Sequence, residues 1–151
     1  MNLLEHTAGF DDMEPSEVYN VYERYDFPLL EVLKRFRKPQ TARWAPGTRM
    51  SYSHPWNAIA GYLIEKVSGK PFDQYIRETF LRPLGMERAD YPFTEANRAL
   101  LATPHEGNPP KVSGYPFIYL RPAGDLKASP LELAKLVQFR CGAERREARN
   151  W

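Results

Sequence analysis

Apolar residues recur at helical intervals along much of this chain. Val18, Tyr19 and Tyr22 share one face of a candidate helix over about residues 15–25. Leu29, Val32, Leu33 and Phe36 fall at i, i+3, i+4, i+7 in a second, with Pro28 suited to its first turn. The clearest pattern is Trp56, Ile59, Ala60, Leu63, Ile64 and Val67, an apolar stripe that predicts a helix over 56–68 buried along that face. Pro55 fits its first turn, and Gly69 stands where a left-handed C-cap is expected. Pro71 opens a helix over 71–82 with Phe72, Tyr75, Ile76 and Phe80 inward, ending before Pro83. Residues 87–114 give weak signals, and Tyr115 to Leu120 reads as a short edge strand because of Pro116. Ser129-Pro130-Leu131-Glu132 is a capping box that starts a helix over 130–139, with Leu133, Leu136 and Val137 as its buried face. After Phe139 the apolar period stops, so residues 1–139 are taken as the domain and 140–151 as an unpatterned basic tail.

With 151 residues, 42% hydrophobic and 26% charged, the chain is long enough to bury a core without a disulfide or metal staple. Its single cysteine, Cys141, excludes an internal disulfide and a cysteine-rich zinc site. His6 has no second ligand at a metal spacing nearby and reads as a hydrogen-bonded structural residue. The start, Met1 to His6, lacks the basic-then-apolar pattern of a signal peptide, so the chain as written is expected to stay in the cytoplasm. The net charge of +2 comes from the tail, whose four arginines and two glutamates leave 17 basic and 17 acidic residues in 1–139. A neutral body with a short basic tail is a poor nucleic-acid footprint, and no nucleic-acid partner is expected.

The stretch richest in chemistry is Tyr52-Ser53-His54, set at the entrance of the 56–68 helix. A following helix pins the backbone there, which suits a site. Taken alone, the same triplet also fits a helix-capping serine beside a half-buried tyrosine.

Four landmarks carry a resemblance. Leu3-Leu4-Glu5-His6-Thr7-Ala8-Gly9, Pro46-Gly47 through Gly69, Pro83-Leu84-Gly85-Met86 and Pro122-Ala123-Gly124-Asp125-Leu126 occur in this order. The chain resembles the serine β-lactamase and penicillin-binding-protein superfamily, especially its class C-like esterases and D-alanyl-D-alanine peptidases. The resemblance implies an α+β class, a partial β-lactamase/DD-peptidase-like fold holding mostly the helical lobe with few short strands. It implies a catalytic role for Tyr52, the family's proton-relay tyrosine, and substrate-binding roles for His54, where the family has Asn, and for Asn57 one turn on. A free tyrosine titrates near 10, so as a base it needs a neighbouring cation, which the family's lysine supplies.

That lysine has no counterpart. No serine of the chain is followed by Lys at the third position, so Ser-x-x-Lys is absent. His105-Glu106-Gly107 fits His-x-Gly only in letters, because it precedes the Pro-Ala-Gly landmark that the family's strand follows. In the family the nucleophile motif lies upstream of the Leu-Leu-x-His-Thr segment, which begins here at Leu3. The resemblance therefore implies a fragment of a serine hydrolase, inactive as given, whose intact parent acts on a small-molecule or peptide substrate without metal or organic cofactor. The alternatives are a non-catalytic module that binds peptides or a protein, and a truncated product with no function. Helices that lack the rest of such a fold would leave Leu133, Leu136, Val137 and one side of the Trp56–Val67 stripe under-covered, which implies self-association.

Overall fold

A computed structural model of the chain describes residues 1–12, 19–20, 28–34, 42–115 and 117–147. In chain order the elements are β1 (Tyr19–Asn20), α1 (Leu29–Lys34), α2 (His54–Ser68) and α3 (Phe72–Ile76), which continues as a π-helix over Arg77–Leu81. Then come α4 (Glu95–Arg98), β2 (His105–Glu106), β3 (Lys111–Val112), β4 (Phe117–Ile118), a 3-10 turn (Arg121–Ala123) and α5 (Pro130–Glu147). The class is α+β, mostly helical with few short strands. β1 pairs antiparallel with β4, Tyr19 opposite Ile118, and β2 pairs antiparallel with β3, His105 opposite Val112. No helix among the described residues is long and apolar enough to cross a membrane.

The chain divides into two units, Met1–Phe72 with Ala102–Asp125, and Asp73–Leu101 with Leu126–Trp151. In the first, Val32 of α1, Ala58 of α2 and Leu120 are buried together, flanked by Leu33, Ile118, Tyr119 and Ala123. Burying a side chain such as Val32 or Leu120 this way contributes about 1.5–3 kcal/mol, which outweighs the weak propensity of a helix as short as α1. α2 stops at Gly69, whose φ of 68° is left-handed as expected, its N–H bonded to Glu65 O at 3.0 Å. The Glu65 carboxylate then accepts the Phe72 N–H at 3.0 Å, so the end of one helix caps the start of the next.

Several expectations are corrected. Tyr19 and Asn20 are strand, not helix, because their backbone finds a partner in Phe117–Ile118; the rest of the 15–25 candidate lies outside the described residues. The buried side of α2 is Pro55, Trp56, Ala58 and Gly61, while Leu63 and Val67 of the apolar stripe are 49% and 90% exposed. The physical reason is close approach: Pro122 of the 3-10 turn lies directly over Gly61, and only small residues admit a neighbour at that distance. The helix expected over 71–82 is α-helical only to Ile76 and then opens one residue per turn wider. α5 runs on past Phe139 to Glu147, because the loss of apolar period removes burial but Arg, Ala and Glu remain good helix formers.

In the second unit Leu81, Met86 and Ala89 form the core, with Ile76, Phe80, Leu84, Leu126, Ala128 and Leu136 against them. Leu136 thus packs inward, whereas Leu133 and Val137 are 42% and 60% exposed. The buried Asp90 receives two bonds from Arg77, Nε to Oδ2 at 2.5 Å and Nη2 to Oδ1 at 3.0 Å, plus the Tyr91 N–H at 2.9 Å. The expected capping box forms: Glu132 N–H donates to Ser129 Oγ, and Glu132 Oε2 accepts from Ser129 N–H, each at 3.3 Å. The other Glu132 oxygen accepts the N–H groups of Arg88 at 2.7 Å and Ala89 at 3.1 Å, tying the Pro-Leu-Gly-Met corner's exit to the start of α5. Burial raises the Glu132 pKa, but the Arg88, Ser129 and Ala89 N–H donors and the Ser129 hydroxyl outweigh it and hold the carboxyl below its ordinary value.

Candidate active site

The entrance of α2 is built from two pieces of chain. The extended stretch before it is tied to the N-terminal segment by backbone bonds, Ser51 N–H to His6 O at 2.8 Å and Gly47 N–H to Thr7 O at 2.8 Å. Two further donors, Arg43 N–H at 2.7 Å and Trp44 N–H at 3.3 Å, converge on Gly9 O. Gly9 has φ +93°, and a Cβ there would stand 2.1 Å from Trp44 O, so this contact requires glycine. His6 itself is left-handed, φ 55°, a conformation that histidine tolerates better than most side chains. The turn directs its ring to the stretch that carries Tyr52.

Tyr52 stands between two imidazoles. The His6 ring lies 4.4 Å from it, centroid to centroid and tilted 36°, and the His54 ring meets it edge-on at 5.0 Å and 84°. Aromatic contacts of this geometry are worth about 0.5–1.5 kcal/mol each and fix the direction of the phenol. Tyr52 is 49% exposed, and its hydroxyl has no hydrogen-bond partner among the described residues. Among those residues no Lys or Arg makes a cation–π contact with its ring.

Ser53 between them points the other way. It is fully buried, its N–H donates to His6 Nδ1 at 3.3 Å, and its hydroxyl donates to Asp11 O at 3.1 Å. The first bond makes Nδ1 of His6 the acceptor and leaves the proton on Nε2. The second commits the serine proton to a backbone carbonyl, out of reach of any ligand. Nor does Ser53 cap the helix, although it occupies the N-cap position with φ −156° and ψ 124°. The cap comes from Asp12, whose Oδ1 accepts the His54 N–H at 2.8 Å while Oδ2 meets His54 Nδ1 at 2.8 Å. A serine bonded to Asp11 O cannot also turn back to its own helix, which is why the local capping reading of Ser53 fails.

The structure thus brings Tyr52 and His54 together and adds His6 to them. Asn57 lies a turn further along α2, half-buried, and its side chain takes no hydrogen bond among the described residues. Sequence reading missed Asp11 and Asp12, which act across forty-two residues and follow no motif spacing. Arg43 pairs with the Asp11 side chain and helps hold that turn. His105 stands exposed on the β2–β3 hairpin, its ring Nδ1 3.0 Å from Thr103 O.

Comparison with known proteins places the chain as a whole. The family model described as Beta-lactamase matches residues 1–150. A putative D-alanyl-D-alanine carboxypeptidase of Escherichia coli (strain K12) is 32% identical over 89 residues, 56% of this chain and 20% of that protein. A class C beta lactamase superposes with a TM-score of 0.70 at 21% identity, over 91% of this chain and 36% of that one. The octameric penicillin-binding protein homologue from Pyrococcus abyssi gives 0.68 at 25% identity, over 90% and 33%. The chain spans about a fifth of the length of the curated relatives it matches and about a third of the similar solved chains.

Proposed function

The chain belongs to the beta-lactamase family, and we propose that it supplies the tyrosine-bearing lobe of an acyl-transferring serine hydrolase and is catalytically silent by itself. In this reading a serine from outside residues 1–151, with a lysine beside it to favour loss of its proton, attacks an amide or ester carbonyl and expels the leaving group, and water then hydrolyses the acyl-enzyme. Tyr52 passes the serine proton to the leaving group, and His54 and Asn57 orient the substrate. The observation that carries the reading is Tyr52 itself: a half-exposed phenol, held between two rings at a pinned helix entrance, with its hydroxyl uncommitted among the described residues. The silence is supported by a sequence without Ser-x-x-Lys and by Ser53, whose buried hydroxyl is bonded to Asp11 O. Loss of the nucleophile from such a unit costs on the order of 10⁶ in rate.

Two measurements test it. The purified chain should hydrolyse neither a chromogenic β-lactam nor a short-chain ester above background. A chimera in which residues 1–150 replace the matching third of a class C beta lactamase should hydrolyse one of them, and Tyr52→Phe should lower that rate about 10²–10⁴-fold. A chimera indifferent to Tyr52→Phe would overturn the proposed role. Saturable peptide binding by the isolated chain, without turnover, would favour the non-catalytic binding module instead.

A further inference from the structure

Both carboxylate oxygens of Asp12 reach His54. Oδ1 accepts the His54 backbone N–H and Oδ2 faces His54 Nδ1, each at 2.8 Å. A carboxylate accepts hydrogen bonds and has none to give, so the ring nitrogen that faces it carries the proton. The backbone bond holds the carboxylate in place, so the imidazole cannot drag it aside to satisfy the other tautomer. The remaining nitrogen, Nε2, takes no hydrogen bond among the described residues, and the side chain is 29% exposed.

An amide at this position would offer a donor and an acceptor together. An imidazole that keeps its proton on Nδ1 offers an acceptor alone. We infer that Asp12 is a positioning residue that locks His54 as the Nδ1–H tautomer, so that a ligand seated beside Tyr52 must present an N–H or O–H to this residue. The ligand class is then amides and amines with a free N–H, or alcohols, and excludes groups that bring only a carbonyl. The ligand half rests on the proposed role of the Tyr52–His54 entrance; the tautomer lock stands on the Asp12 geometry alone.

The lock is read by two-bond proton–nitrogen NMR of the imidazoles in the intact chain, at a pH of about 8 where histidine is ordinarily neutral. His54 should be mainly Nδ1–H. Asp12→Asn keeps an amide oxygen to accept the His54 N–H but turns an NH2 donor toward the ring, so the tautomer should invert to Nε2–H. A wild-type ring that is mainly Nε2–H, or a ring unchanged in Asp12→Asn, overturns the lock. If that variant does not fold, the wild-type spectrum decides alone. The ligand half is read by titrating the chain with N-methylacetamide and with N,N-dimethylacetamide. The Nε2 resonance should move with the first only, and movement with both or with neither overturns the donor requirement. Failure of the proposed function would show separately, as a Tyr52-independent chimera.

Discussion

Gly61 meets Pro122 so closely that a Cβ on the glycine would stand 2.4 Å from Pro122 Cγ and 3.2 Å from the Phe72 ring. Two of the landmarks that carry the family resemblance, the α2 helix and the Pro-Ala-Gly turn, are in contact through this missing side chain. Replacing a helical glycine by alanine ordinarily stabilises by about 1 kcal/mol. Here the methyl must displace a proline ring, and overpacking costs about 1–3 kcal/mol. Gly61→Ala should therefore lower stability in urea denaturation, and a gain would show that the turn yields freely.

The Arg77–Asp90 pair is asymmetric, with the Asp90 side chain 3% exposed and that of Arg77 32%. Removing the guanidinium leaves a buried carboxylate with the Tyr91 N–H and only a distant cation, Arg82 at 4.0 Å, which costs up to about 3 kcal/mol. Removing the carboxylate frees an arginine that can turn to water. Arg77→Ala should thus destabilise the chain more than Asp90→Ala, and the reverse order in denaturation midpoints would refute this account of the pair.

Glu132 ties acid stability to the start of α5. Its carboxyl is held below its ordinary value in the fold, so its contribution is present above the unfolded carboxylate pKa of about 4.3 and is lost as pH falls through the lower folded value. Glu132→Gln should melt earlier at neutral pH, and the gap to wild type should close in that acid window. Parallel melting curves across the window would sink the assignment.

Leu133 and Val137 lie four residues apart on one face of α5 and are largely exposed. Exposed apolar faces of this kind promote association, so we expect sedimentation at tens of micromolar to show species larger than a monomer. Leu133→Glu with Val137→Glu should shift the distribution back to monomer. A wild-type chain that stays monomeric there excludes the face as a contact.

The parts of the fold legible in the sequence are those decided within a few residues. Gly69 ends α2, Pro55 lies in its first turn, and Ser129 and Glu132 close a capping box, because each needs only its own helix end. The face that α2 buries was not legible, since periodicity ranks Leu63 and Val67 by hydrophobicity while the fold ranks Ala58 and Gly61 by smallness. Tyr19–Asn20 became strand through a partner ninety-nine and ninety-seven residues away. At the candidate site Tyr52 and His54 could be found from their motif, but Asp12 could not. Nothing in the local sequence around residue 12 announces that its carboxylate will serve a helix that starts at His54.

The Asp12 bridge also joins the site to the chain's long-range closure. Ser53 and His54 carry amides that no carbonyl of α2 can accept, and His6 and Asp12 accept them instead. Bringing residues forty-two apart together costs about 3 kcal/mol in loop-closure entropy before any contact is made. Opening that closure leaves the body of α2 hydrogen-bonded and exposes only its first amides. In native-state hydrogen exchange, His54 should accordingly report the docking of residues 1–12 and exchange faster than amides deep in α2 such as Gly61. Such a result would make the tyrosine's surroundings and the N-terminal segment one cooperative unit, distinct from the helix that carries them.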